Sequence, residues 1–218
     1  MILNEIAKRQ SVRQYSGKKI PENDIKEILE AGRIAPSWMN VQPWHFIVVD
    51  DEETKTLLSI SAKYQKQIKE ASHVIVLLGD FAAWNNKNFG KILTEKGMPE
   101  DSVQHILSDK GYNPAQNTSA ILIARTMEQC SYAMAFMDLQ AQSLGVDCCI
   151  IGAFANELTG FNPDVYETVK EKLNIPDSAM IAGMLTLGYR SENVKDLPKR
   201  RKSFNSVVSY GKYGQRLD

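Results

Sequence analysis

The sequence contains no apolar run near the roughly 20 residues that a helix needs to cross a bilayer. A helical membrane span is therefore not expected. The start, Met1-Ile2-Leu3-Asn4-Glu5, has an early acid and a helical pattern where a secretory signal would have a basic head and a long apolar stretch, so no signal peptide is expected. Cysteine is scarce: Cys130, Cys148 and Cys149 are odd in number, two are adjacent, and no C-x-x-C pair occurs. That pattern argues against a disulfide framework or a zinc site and favours a reducing cytoplasm. His45, His73 and His105 lie far apart with no i, i+4 pair, which removes a zinc-binding helix. No G-x-G-x-x-G follows a strand pattern, and no G-x-S-x-G occurs, so neither a Rossmann fingerprint nor a nucleophile elbow is present. Net charge is lacking too. Lys plus Arg and Asp plus Glu each number 26, which gives no general attraction to nucleic acid or acidic membranes.

What remains is an ordinary globular composition, 43% hydrophobic over 218 residues, a length that fits one large domain or two small ones; a single domain is expected. Periodicity predicts a short helix over 2–9 and a second opened by Pro21-Glu22-Asn23-Asp24, with Pro36 ending or redirecting it. Residues 44–50 read as a strand and 52–70 as a helix. His73 to Gly79 is a continuous apolar run of strand length, as a strand buried on both faces requires. Residues 80–116 hold Trp84, Phe89 and Tyr112 among helical fragments and fit an inserted, partly mobile cap. Residues 117–144 form a long helix, apolar on most sides, ending at Gly145. Strands are predicted over 146–151 and 179–189, with a helix over 163–173 between them. Helices come in consecutive pairs, so an α+β fold with a mixed central sheet flanked by helices is expected rather than strict β-α-β alternation. Residues 190–218 form a C-terminal arm whose Phe204, Val207, Val208, Tyr210 and Tyr213 must be buried on the parent domain or on a second subunit.

The chemistry-bearing pattern begins at Arg9-Gln10-Ser11-Val12-Arg13. In an extended segment, alternate residues point the same way, so Arg9, Ser11 and Arg13 converge on one side. A guanidinium suits phosphate because its planar fork stays charged and offers paired donors. The run Lys199-Arg200-Arg201-Lys202 reads alone as a solvated charged stretch. Together with the N-terminal arginines it reads as the other half of an anion site. Cys148-Cys149 falls in a predicted buried strand, where thiols are usually inert.

Five motifs, in order along nearly the whole chain, resemble the nitroreductase-like flavoproteins. They are Arg9-x-Ser11-x-Arg13, Pro36-Ser37-x-x-Asn40-x-Gln42-Pro43-Trp44-His45-Phe46, Ala71-Ser72-His73-Val74, Leu144-Gly145-x5-Ile151-Gly152 and Pro198-Lys199-x-Arg201. The resemblance implies an interlocked homodimer with one FMN at each of two interface sites. It assigns Arg9, Lys199 and Arg201 to the FMN phosphate, with Gln10 and Ser11 beside them. It sets Arg13 under the pyrimidine edge of the ring, where a cation stabilises reduced flavin. Pro36, Ser37, Asn40 and Gln42 match a loop that meets the flavin, and Gln129 matches a glutamine that reaches it. Ile150, Ile151 and Gly152 match the strand end whose backbone N–H meets flavin N5; which amide donates is left open. For the ring edge, where some relatives have asparagine and lysine, Gln67 is the candidate.

The implied activity is hydride transfer from NADH or NADPH, through FMN, to a small electron-poor acceptor by a ping-pong mechanism. Nitroaromatics, quinones, enones and flavins are the acceptor classes. Trp84, Phe89 and Tyr112 are candidates to line the acceptor channel. Two rivals stand: a non-catalytic module holding a phosphorylated ligand or acidic partner, and a specialised member such as a flavin-fragmenting enzyme or reductive dehalogenase.

Overall fold

A computed structural model of the chain describes residues 2–216. Helix α1 (Asn4–Lys8) is followed by α2 (Glu22–Arg33), strand β1 (Trp44–Val49), α3 (Glu52–Ser61), α4 (Lys66–Glu70) and β2 (His73–Asp80). Then come α5 (Asn86–Glu95), α6 (Glu100–Ser108), α7 (Ser119–Ser143), β3 (Asp147–Ile151), α8 (Pro163–Leu173) and β4 (Ala179–Gly188). The four strands lie in the order β1-β2-β4-β3. All three pairings are antiparallel. The mixed character comes from one isolated parallel bridge, Ser11 to Cys148, which lays the N-terminal segment along the outer edge of β3. No helix among the described residues is long and apolar enough to cross a membrane.

The sheet is covered on both faces, which explains the unbroken apolar run in β2. Val74, Val76 and Leu78 face a core built with Leu58 of α3, Ile68 of α4 and Val169 of α8. Ile75 and Leu77 face a second core built with Ile28 of α2 and Met134 and Met137 of α7. Alternation by two sends neighbours to opposite layers, and both layers are apolar. The helices α2 and α7 pack closely because Gly32 has no side chain: a Cβ there would lie 2.7 Å from Met137 Cγ. Helix α7 ends as expected. Gly145 takes φ +71°, and the Val146 N–H returns to the Ala141 carbonyl at 2.9 Å, a Schellman-type closure.

Two expectations need correcting. The helix over 52–70 is broken, because Lys63 and Tyr64 both take φ +59° and turn the chain before α4 begins. No glycine or proline marks that break. The segment 80–116 is not a loose cap: α5 and α6 close over their own core of Trp84, Phe89, Leu93, Val103, Ile106 and Leu107. Trp84 and Phe89 are both 0% exposed, and the Trp84 indole N–H donates to Thr126 Oγ1 of α7 at 2.9 Å. They are packing residues and line no channel. Of the two covers open to the arm's apolar groups, its own domain leaves most of them bare. Phe204, Val207, Tyr210 and Tyr213 all stand exposed.

Candidate functional site

The N-terminal strand segment and the start of the arm form one cleft. Val12 turns inward, 1% exposed, and its N–H donates to the Cys148 carbonyl at 3.0 Å. Arg9, Ser11 and Arg13 thereby face outward together. They line a cavity of about 510 Å³ with Gln10, Lys199, Arg200 and Arg201. Its lining holds five cationic side chains and no carboxylate. Such a cavity selects an anion.

The two chain ends meet through specific contacts. Arg190, following β4, is held by Asp147 of β3: its backbone N–H donates at 2.9 Å and its Nη2 at 2.6 Å. Its Nη1 donates to Asp196 at 2.6 Å. Gln10 then clamps the arm, accepting from the Leu197 N–H at 3.1 Å and donating to Asp196 Oδ1 at 3.3 Å. Lys199 is thus delivered to α1, where its Nζ donates to the Ile6 carbonyl. Arg201 donates to the Arg200 carbonyl at 2.8 Å and Arg13 to the Ser11 carbonyl at 3.4 Å. These two guanidinium groups lean on neutral carbonyls and keep their charge uncompensated. Arg9 differs. Its Nε sits 3.5 Å from Asp138 of α7.

The parallel register carries the cleft toward the end of β3, since pairing of Ser11 with Cys148 puts Arg13 beside Ile150. Ile150 is 43% exposed and Ile151 is buried. Gly152 follows with open space where a Cβ would be, so its backbone stands uncovered. An apolar cavity of about 210 Å³ adjoins this turn, lined by Ile150, Gly152, Met134, Ala182 and Gly183 among others. Across the turn, Gln65 Nε2 donates to the Ala153 carbonyl at 3.0 Å, and Gln67 Nε2 donates to Gln65 Oε1 at 2.7 Å. Gln67 is buried, so the side chain that meets the turn is Gln65, with Gln67 behind it.

The loop carrying Pro36, Ser37, Asn40 and Gln42 lies elsewhere. It precedes Trp44, which pairs with Gly79, whereas Ser11 lies beside Cys148, which pairs with Leu187 next to His73. The loop therefore precedes the strand that lies three places from β3 in the sheet order. Its backbone is unusual: Met39, Asn40 and Gln42 take φ +46°, +65° and +48°. Such conformations persist only where surroundings over-determine them. Ser37 Oγ accepts from the Gln42 N–H at 3.0 Å, and Gln42 Nε2 donates to the Asn40 carbonyl at 3.1 Å. Gln129, 1% exposed on α7, accepts from the Trp38 N–H at 2.7 Å. Trp38 Nε1 donates to the Tyr112 carbonyl at 3.2 Å, and Arg125 sits 5.7 Å from the Trp38 ring centre. Gln129 is thus the post on which the loop is hung.

Burial pushes the Cys130 thiol up to about 12 and Cys148 well above its ordinary range, so both are inert thiols at neutral pH. No cluster of metal-ligating side chains occurs among the described residues. The sequence reading did not single out Asp138. A signal for Asp138 existed, since it is the lone charged residue between Gln129 and Val146 of an otherwise apolar or neutral stretch.

Comparison with known proteins bears on the family. The family model described as "Nitroreductase family" matches residues 6–189. A protein of Staphylococcus haemolyticus provisionally named an NAD(P)H nitroreductase is 28% identical over 219 residues, covering 96% of each chain. An NADH dehydrogenase of Thermus thermophilus is 29% identical over 92% of this chain and 91% of its own. Among solved structures, a protein of Exiguobacterium sibiricum in complex with FMN superposes with a TM-score of 0.74 at 25% identity, covering 94% of this chain and 95% of its own. With its α+β architecture, its two-ended cationic cleft and a family match spanning most of its length, the chain belongs to the Nitroreductase family.

Proposed function

We propose that this chain is an FMN-dependent oxidoreductase that passes hydride from NADH or NADPH to a small electron-poor acceptor by a ping-pong mechanism. One observation carries the reading: cations from both ends of the chain line a single acid-free cleft that opens along β3 onto an uncovered backbone turn. The donor set fits FMN. A phosphate dianion requires several fixed charges, and Arg9, Lys199 and Arg201 supply them, with Gln10 and Ser11 at the cleft wall. Arg13, beside Ile150, lies on the route from phosphate to turn, where a permanent cation favours reduced flavin. The Ile150-Ile151-Gly152 turn offers backbone N–H groups that no side chain covers at Gly152. Bound FMN would supply the hydride chemistry, and the protein the binding, orientation and electrostatics. Nitroaromatics, quinones, enones and free flavins are the acceptor classes in view.

The active form in this reading is a homodimer of single-domain chains. The loop at Pro36, Ser37, Asn40 and Gln42, with its post Gln129, lines no part of the cationic cleft of its own chain. A second copy brings its loop to the first copy's turn. The surface left apolar supports this: Ile121, Tyr132 and Phe136 stand exposed along α7, and Ile2, Leu3 and Ile6 near α1. The arm residues Phe204, Val207 and Tyr210 are exposed as well, and a partner subunit is their natural cover. Three free, buried cysteines suit a reducing cytoplasm.

The decisive experiment is optical. Purified protein, reconstituted with FMN if necessary, should be yellow, bleach with NADH or NADPH without air, and regain colour on adding a nitroaromatic. Protein that stays colourless after reconstitution would favour a non-catalytic phosphate-binding module.

A further inference from the structure

Asp138 is a buried charge that the proposed reaction does not use. It lies on the face of α7 that meets β3 and is 5% exposed. Its neighbours on that face are Met134, Met137 and Ala141, all buried. A carboxylate in such surroundings costs stability unless its oxygens are satisfied. Here both are. Oδ1 accepts from the Cys148 thiol at 2.7 Å, and Oδ2 lies 3.5 Å from Arg9 Nε. Cys148 is itself held, with the Gln142 amide 3.6 Å from its sulfur. Burial raises the Asp138 pKa, while Cys148, Arg9 and Lys199 oppose that rise.

The geometry at Arg9 gives the arrangement its meaning. A guanidinium is a planar fork with one lateral nitrogen and two terminal ones. Asp138 engages the lateral Nε from inside the protein. Among the described residues the terminal nitrogens have no hydrogen-bond or ion-pair partner, and Arg9 lines the cationic cleft. This ion pair draws the Nε edge inward and leaves the terminal nitrogens to the cleft side.

We propose that Asp138 is a positioning residue for phosphate recognition: it holds Arg9 from behind so that the guanidinium presents its terminal nitrogens to the phosphate. This role rests on the FMN reading above and extends it to a residue that does not touch the ligand. It also opposes simple electrostatics. Asp138 brings a negative charge near a dianion, so through-space repulsion alone would make its removal tighten binding. Positioning makes its removal loosen binding.

The test compares FMN with riboflavin, which lacks the phosphate, by fluorescence titration of the apo-dimer. Asp138→Asn keeps shape and removes charge. It should weaken FMN about 10-fold, the scale of one charge-assisted hydrogen bond, and leave riboflavin unchanged. The effect should vanish in an Arg9→Gln background, because Asp138 acts only through Arg9. Tighter or unchanged FMN binding in D138N overturns the proposal, as does equal loss for both ligands. Should D138N not fold, Arg9→Lys answers the same question at a more accessible site. Lysine keeps the charge but cannot engage Asp138 and the phosphate through one rigid fork, so it should lose FMN affinity nearly as R9Q does. Full affinity in R9K overturns the role. Wild-type protein that takes up no FMN overturns the functional reading itself, and this role with it.

Discussion

Gln10 accepts a hydrogen bond from the backbone N–H of Leu197 at 3.1 Å, across 187 positions of sequence. This contact, with the Gln10–Asp196 bond at 3.3 Å, sets where the arm leaves the domain and so where Lys199 and Arg201 arrive. Removing it should loosen the cationic cleft without harming the core. Gln10→Ala is expected to weaken FMN binding about 3- to 10-fold, the scale of one or two net hydrogen bonds, with little change in thermal midpoint. Titration and calorimetry on the same preparation check both halves.

Arg13 bears on the electronics. It pairs with no carboxylate among the described residues; its Nη1 rests on the Ser11 carbonyl. Arg13→Gln should lower the two-electron potential of bound FMN by on the order of 30–60 mV, since 30 mV corresponds to about 1.4 kcal/mol for two electrons. Spectroelectrochemical titration reads this. An unchanged potential would remove the role.

Trp84 separates packing from specificity. It is fully buried, stacks edge-to-face on Phe89 at 5.8 Å and donates to Thr126. Trp84→Ala should cost about 3–5 kcal/mol of stability, as truncation of a buried aromatic does. The ratio of kcat/KM between a nitroaromatic and a quinone should stay constant in the variant that remains folded. A changed ratio would restore Trp84 to the acceptor channel.

His73 gives the fold a pH dependence. Burial holds its pKa below the usual 6.5, with Asp50 opposing. The folded state therefore binds its proton less readily than the unfolded chain. Stability is full above about 6.5 and declines as pH falls through that value, because protonation favours the unfolded state. His73→Gln should flatten the change in denaturant midpoint between pH 7.5 and 5.5. Equal slopes in both proteins would exclude His73 as the source.

These predictions draw unequally on sequence and structure. The run Val74 to Leu78 announced a strand buried on both faces, because each alternate residue was apolar and two layers cover it. Helix α8 matched its predicted span, with proline at its first turn and Asn174 in left-handed geometry at its end. The break at Lys63 and Tyr64 was invisible, because neither residue type favours positive φ and tertiary packing imposes it. The contact of Gln65 with the Ala153 carbonyl was hidden for the same reason: that break decides which amide faces the turn. The segment 80–116 looked loose because its two short helices bury their apolar faces on each other and on α7, a pairing no local pattern reveals. The cationic cleft was legible because charge and spacing survive in sequence. Asp138 was not singled out, since a single acid in a helix usually faces solvent.

Everything in the functional reading depends on Arg9 and Arg201 gripping one phosphate. The most direct measurement is a double-mutant cycle on FMN affinity with riboflavin as control, using wild type, Arg9→Gln, Arg201→Gln and the double variant. Each single change should weaken FMN roughly 10-fold or more, leave riboflavin unaffected, and combine non-additively, because both guanidinium groups serve the same anion. Wild-type protein that binds FMN and riboflavin equally well, with neither arginine altering the difference, would contradict the account.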